Sequence, residues 1–87
     1  METDNSIIKF KSFLTYKTKD GLLVGSIGNI TFTISVKGMR YHLTVTRDGK
    51  TRVIGNYRLL EWAKYEAPYF WWLKNIGQIS DIPKLFP

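Results

Sequence analysis

Ile30-Thr31-Phe32-Thr33-Ile34-Ser35-Val36-Lys37-Gly38-Met39-Arg40-Tyr41-His42-Leu43-Thr44-Val45-Thr46 is the stretch on which the fold turns. In its first half Ile30, Phe32, Ile34 and Val36 alternate with Thr31, Thr33, Ser35 and Lys37. In its second half Met39, Tyr41, Leu43 and Val45 alternate with Arg40, His42, Thr44 and Thr46. Period two with β-branched and aromatic enrichment predicts two half-buried antiparallel strands. A two-residue turn at Lys37-Gly38 pairs Val36 with Met39, Ile34 with Tyr41, Phe32 with Leu43 and Ile30 with Val45. That register puts every apolar side chain on one face.

Outward from this hairpin the same logic extends both ways. After it, Arg47-Asp48-Gly49 is a turn leading to a strand that ends near Tyr57. A two-residue loop there sets Val45 against Arg52 and mixes the faces. A three-residue loop pairs Leu43 with Val53 and Thr44 with Arg52, and is preferred. Before it, Leu22 to Ile27 reads as a strand, and Lys19-Asp20-Gly21 as a three-residue turn setting Tyr16 beside Val24. In Ile8 to Tyr16 the apolar Ile8, Phe10, Leu14 and Tyr16 oppose Lys9, Lys11 and Lys17, which predicts a first strand; Phe13 breaks its alternation.

Beyond Tyr57 the period changes. Asn56 is a reasonable N-cap, and Arg58 to Ala67 reads as helix. Pro68 cannot sit in a helix interior without a kink, so it is placed at the start of a second helical stretch, Tyr69 to Asn75. Ile79 to Pro87 is predicted extended. The expected architecture is α+β: an antiparallel β-meander of four to five strands packed against a C-terminal helical segment. The chain reads as one small domain, with sheet over 6–57, a helical segment over 57–76 broken at Pro68, and a tail over 77–87.

Charge follows this division. The 87 residues carry a net +6. From Asn5 to Leu60 there are ten basic residues and two acids, a net +8; the remainder has three basic residues and five acids, a net −2. Asp20 and Asp48 each precede a glycine in a turn, so outside its turns the sheet region is purely cationic. Its polar face is expected to bring Thr31, Thr33 and Ser35 beside Thr44, His42 and Arg40, and these beside Arg52, Ile54 and Asn56. Arg and Asn side chains suit base edges, and Thr and Lys suit phosphates. The leading expectation is a small nucleic-acid-binding protein contacting its partner through Lys9, Lys11, Lys37, Arg40, His42, Thr44, Arg47, Lys50 and Arg52. The bland alternative is an ordinary solvated sheet face.

Met39 to Lys50, then Thr51-Arg52-Val53-Ile54-Gly55-Asn56-Tyr57, then a helix containing Glu61-Trp62-Ala63, resembles a family arrangement. It is similar to the three-stranded-sheet-plus-helix DNA-binding domains of the AP2 type and of phage integrase arm-binding domains. The matching features are Gly49-Lys50, Gly55-Asn56-Tyr57 and Glu61-Trp62-Ala63, over about half the chain. The resemblance implies a sheet entering the major groove, with Arg40, His42, Thr44 and Arg52 as base contacts. Thr31, Thr33 and Ser35 are neutral where the first strand of those families is basic.

Seven of the thirteen aromatics lie between Tyr57 and Trp72. Four in a row, Tyr69-Phe70-Trp71-Trp72, point around the whole helix, so one core face does not bury them all. A second expectation is therefore a protein interface or homo-oligomer contact through Trp62, Tyr69, Phe70, Trp71, Trp72 and Phe86, as in a phage-type inhibitor of a host or defence protein. Catalysis has little material: His42 is the sole histidine and there is no cysteine. No enzyme activity, cofactor or metal is expected. No apolar run reaches the ~18 residues of a membrane span, and Met1-Glu2-Thr3-Asp4-Asn5 is not a signal-peptide pattern. A cytoplasmic protein without a membrane span is the expectation.

Overall fold

The computed structural model describes residues 5–77. Helix α1 (Asn5–Phe13) leads into five strands, β1 (Thr15–Lys19), β2 (Leu22–Ile27), β3 (Ile30–Lys37), β4 (Arg40–Arg47) and β5 (Lys50–Tyr57). The chain then enters a helical segment with a π-helical stretch, Trp62–Glu66, running into α2 (Ala67–Asn75). The strands form one antiparallel meander in the order β1-β2-β3-β4-β5. Among the described residues the helices cover one side of it and leave the other side open. This is the α+β architecture expected. The extended tail and its Phe86 lie outside the described residues.

The first element is a correction. Ile8 to Phe13 is helix, not strand. Ile7, Phe10 and Leu14 recur at helical spacing, and Phe10 and Leu14 are fully buried while Ile8 is 65% exposed. Phe13, which broke the alternation, fits the helical period and packs partly against the core. Burying Phe10 and Leu14 contributes about 1.5–3 kcal/mol each, whereas a strand would have buried Ile8 and turned Phe13 away.

All four hairpins close with two residues. Asp20-Gly21 and Asp48-Gly49 have positive φ at both positions (52° and 79°; 54° and 79°), the type I′ geometry whose twist matches the strands. Gly28-Asn29 and Gly38-Met39 place positive φ on the glycine alone, the type II′ pattern. The central turn therefore lies one residue later than expected, with Lys37 opposite Arg40 and Ile34 opposite Leu43. A shift of two in pairing preserves parity, so the face assignment stands. Met39 sits in the turn, 92% exposed, rather than on the apolar face.

The other two turns change more. Tyr16 pairs with Gly25, not Val24. Val45 does pair with Arg52, the arrangement that parity argued against. The sheet accommodates it with a register shift in β5, where Thr44 pairs with Val53 but Leu43 pairs with Gly55. The extra residue, Ile54, packs against the core, so it leaves the polar face on which it was expected. A bulge of this kind lets both a type I′ turn and a buried Leu43 persist.

The core joins Ile27, Ile30, Phe32, Ile34, Leu43 and Val45 of the sheet to Ala63, Ala67, Tyr69 and Trp72 of the helical segment and to Phe10 and Leu14. Phe10 packs edge-on against both Tyr69 and Trp72, at 5.7 and 5.9 Å between centroids. Pro68 lacks the N–H that would reach the Lys64 carbonyl one α-turn back. The Tyr16 hydroxyl donates to that carbonyl at 2.8 Å, tying β1 to the helical segment. Pro68 thus marks a change of helical pitch within a continuous segment. Burial first, and the neighbouring Tyr65 second, push the Tyr16 phenol well above its ordinary range.

Candidate nucleic-acid interface

The open side of the sheet is built by the pleat. In β3 and β4 the residues that alternate with the core, Thr31, Thr33, Ser35 and Lys37 on one strand and Arg40, His42, Thr44 and Thr46 on the next, face away from the helices. The register continues one row across all five strands as Thr15, Ser26, Thr31, Thr46 and Thr51, five hydroxyls in succession. The next row is Lys17, Val24, Thr33, Thr44 and Val53. Lys19 stands beside Lys17 on the β1 edge, and Lys37 faces Arg40 at the β3–β4 end.

Hydrogen bonds fix part of this surface. Thr46 and Thr51 hydroxyls are 2.8 Å apart, and Thr44 Oγ1 donates weakly to the Thr33 carbonyl at 3.5 Å. His42 Nδ1 lies 2.6 Å from Asn56 Oδ1. An amide oxygen only accepts, so Nδ1 carries the proton and Nε2 is the acceptor of the neutral ring. The imidazole is thereby oriented by Asn56. Among the described residues the carboxylates are Asp20 and Asp48 in turns and Glu61 and Glu66 in the helical segment. The five strands themselves carry no acidic residue, and Asp20 is the acid that flanks Lys19, in the β1–β2 turn.

Of the nine residues expected to meet nucleic acid, four lie together here: Lys37, Arg40, His42 and Thr44. Lys9 and Lys11 belong to α1 on the covered side, and Lys11 Nζ rests 5.1 Å from the centre of the Tyr65 ring. Arg47, Lys50 and Arg52 are also placed on the helix side, because Arg52 pairs with the buried Val45 and Arg47 with Lys50. They border a cleft with Trp71 and Asn75. Lys17, Lys19 and Asn56 were absent from the nine and belong to the open face. The alternation in Thr15-Tyr16-Lys17-Thr18-Lys19 carried that signal for the two lysines.

The aromatic residues divide too. Trp72 is fully buried, and its Nε1 has no acceptor among the described residues. Tyr69 is buried and Trp71 packs edge-on against Phe32 at 5.6 Å. Trp72 and Tyr69 therefore hold the core. Trp62 and Phe70 are exposed, with ring centres 6.3 Å apart. Among the described residues no group of three His, Cys, Asp or Glu side chains is placed to hold a metal, and no helix is long and apolar enough to cross a membrane. Comparison of the chain with protein-family models, with curated proteins and with solved structures finds no match.

Proposed function

We propose that the chain binds nucleic acid through the open face of its sheet. The observation that carries this reading is a continuous surface of hydroxyls and four cations, Lys17, Lys19, Lys37 and Arg40, on strands that carry no acidic residue. Adjacent strands lie about 4.8 Å apart, so five strands span about 19 Å. That exceeds the ~12 Å width of the major groove. The three strands β3–β5 span about 10 Å and suit the groove, with Arg40, His42, Thr44 and Asn56 towards the base edges. Lys17 and Lys19 then lie over the flanking phosphates. The order of three strands followed by a helix is also that of the AP2-type and integrase arm-binding domains that the sequence resembles.

A salt-titrated gel shift on random duplex DNA tests it. Three phosphate contacts, made by Lys17, Lys19 and Lys37, correspond to a log–log salt slope of about −2.7. Arg40→Ala with Lys37→Ala should weaken binding by about tenfold or more and flatten that slope by about one. Undetectable binding at about 50 mM salt would remove the reading.

A second reading is favoured by Trp62 and Phe70, which with Leu73 expose a contiguous apolar surface beside Ile7. Exposed aromatic pairs of this kind are common interface anchors. On this reading the chain docks a protein, as an inhibitor of a host or defence protein does. Its signature is a complex that survives high salt and is lost in Phe70→Ala; a complex indifferent to Phe70→Ala removes it.

A further inference from the structure

The β4–β5 hairpin builds a second basic site on the side of the sheet opposite the open face. Arg47 and Lys50 are a direct cross-strand pair, and Arg52 follows Lys50 by two residues on the same face. Together with Asp48 from the turn, Trp71 and Asn75 from α2 and Val45 from β4 they line a cleft of about 330 Å³. That volume lies in the range of small-molecule sites.

The charges there are poorly compensated. Like charges directly opposite each other destabilise a sheet. Asp48 is the one acid in the lining; its carboxylate is 3.9 Å from Arg47 Nε with both side chains half or more exposed, so the pair is weak and the lining keeps a net charge of three cations against one anion. The C-terminal end of α2 brings the equivalent of about half a negative charge. Neither offsets three cations. Two guanidiniums and an ammonium converging in a concavity form a phosphate-binding chemistry. An indole lining the same cleft adds a surface on which an aromatic base stacks.

We propose that this cleft binds one phosphorylated nucleotide, with the phosphate between Arg47, Lys50 and Arg52 and the base against Trp71. A free mononucleotide and the 5′-phosphorylated end of a strand present the same chemistry. The site is on the other side of the sheet from Lys37 and Arg40, so it stands or falls independently of the open-face reading.

Calorimetric titration of the whole chain with AMP, adenosine and inorganic phosphate, together with NMR of the three indole N–H signals, tests the proposal. AMP should bind saturably and shift the signal that is lost in Trp71→Phe. Adenosine and inorganic phosphate should each bind at least about tenfold more weakly. Lys50→Gln with Arg52→Gln should weaken AMP by about tenfold or more with the fold retained, while Lys37→Ala with Arg40→Ala leaves AMP binding unchanged. A short oligonucleotide preferred in its 5′-phosphorylated over its 5′-hydroxyl form supports the strand end as the natural source. Equal, weak binding of both forms beside tight AMP supports the free nucleotide. Adenosine or inorganic phosphate binding as tightly as AMP, no shift of the Trp71 signal, or indifference to the Lys50 and Arg52 substitutions overturns the proposal.

Discussion

The first and last hairpins of the sheet close with the same turn and point their charges in opposite directions. Asp20-Gly21 and Asp48-Gly49 agree in φ to within 2° at both positions. At the first, Lys19 flanks the turn on the open face, in line with Lys17. At the last, Arg47 flanks it on the helix side, opposite Lys50 and near Arg52. The cause is phase. Tyr16 and Val45 point to the helices; Tyr16 lies three residues before Lys19, whereas Val45 lies two before Arg47. In a strand one residue of phase exchanges the faces. Each hairpin also carries a glycine under a tyrosine: Gly25 beneath Tyr16, and Gly55 beneath Tyr57. The first keeps an unbroken register, and the last needs a bulge. Charge placement here is thus a matter of register rather than of turn type.

The two glycines give the sharpest way to break this comparison. A Cβ on Gly25 would lie 2.9 Å from Tyr16 Cδ1 and 3.1 Å from Leu14 Cδ1. Leu14 is buried and Tyr16 is anchored to the Lys64 carbonyl, so neither yields easily. Gly25→Ala is expected to cost about 1–3 kcal/mol, or roughly 4–8 °C of Tm per kcal/mol. At Gly55 the nearest atom is the Tyr57 hydroxyl, 2.7 Å from the Cβ position and at the far end of its side chain. That ring can swing aside, and Gly55→Ala should cost less than about 1 kcal/mol. Thermal denaturation of both variants decides it; equal losses would mean that the anchoring of Tyr16 has no part in holding the first hairpin.

The same phase problem explains which parts of the molecule were legible. Parity in Ile30 to Thr46 placed the right side chains on the right face although the turn itself lies one residue later, because a pairing shift of two leaves faces unchanged. Parity misled at Asp48-Gly49, where Val45 opposite Arg52 looked forbidden. A bulge at Ile54 resolves the conflict, and its trace in the sequence is Gly55, a glycine inside a strand beside the extra residue. In Ile7 to Leu14 two periods compete: Ile8, Phe10 and Leu14 fit a strand, while Ile7, Phe10, Phe13 and Leu14 fit a helix. The lysines between them are compatible with both, so Phe13 was the deciding residue. Of the site, Lys37, Arg40, His42 and Thr44 were legible from alternation alone. The cleft around Arg47, Lys50 and Arg52 was not, since it depends on the bulge and on where α2 crosses the sheet.

Tyr16 and Tyr57 allow a second contrast, smaller in size. Tyr16→Phe removes the hydroxyl that donates to the Lys64 carbonyl and should cost about 1 kcal/mol at neutral pH. It should also change the alkaline limb. Burial, and then Tyr65, raise the Tyr16 phenol in the folded chain, and burial raises Tyr57 in the same direction. The unfolded chain then ionises first. Stability from these groups is present below about pH 10, the ordinary tyrosine value, and is lost as pH rises towards the folded values. Denaturant titrations above neutral pH should show a steep fall that Tyr16→Phe flattens more than Tyr57→Phe. Equal slopes in the two variants would show that Tyr16 does not dominate the alkaline transition.

The smallest effect separates stability from binding at the last hairpin. Lys50→Glu places a carboxylate directly opposite Arg47, replacing a like-charge pair by an attractive one. The gain should be about 0.2–1 kcal/mol at low ionic strength, and screening should remove most of it at about 1 M salt. An unchanged Tm at low salt would mean that Arg47 and Lys50 already splay apart and that their repulsion is not stored in the fold. A gain has a further consequence. The wild-type residue is then less stable than a simple alternative at an exposed edge, where a glutamate is as easily accommodated as a lysine. Three like charges around Trp71 kept at that cost would support the proposed anion site, because a bound phosphate would offset their mutual repulsion.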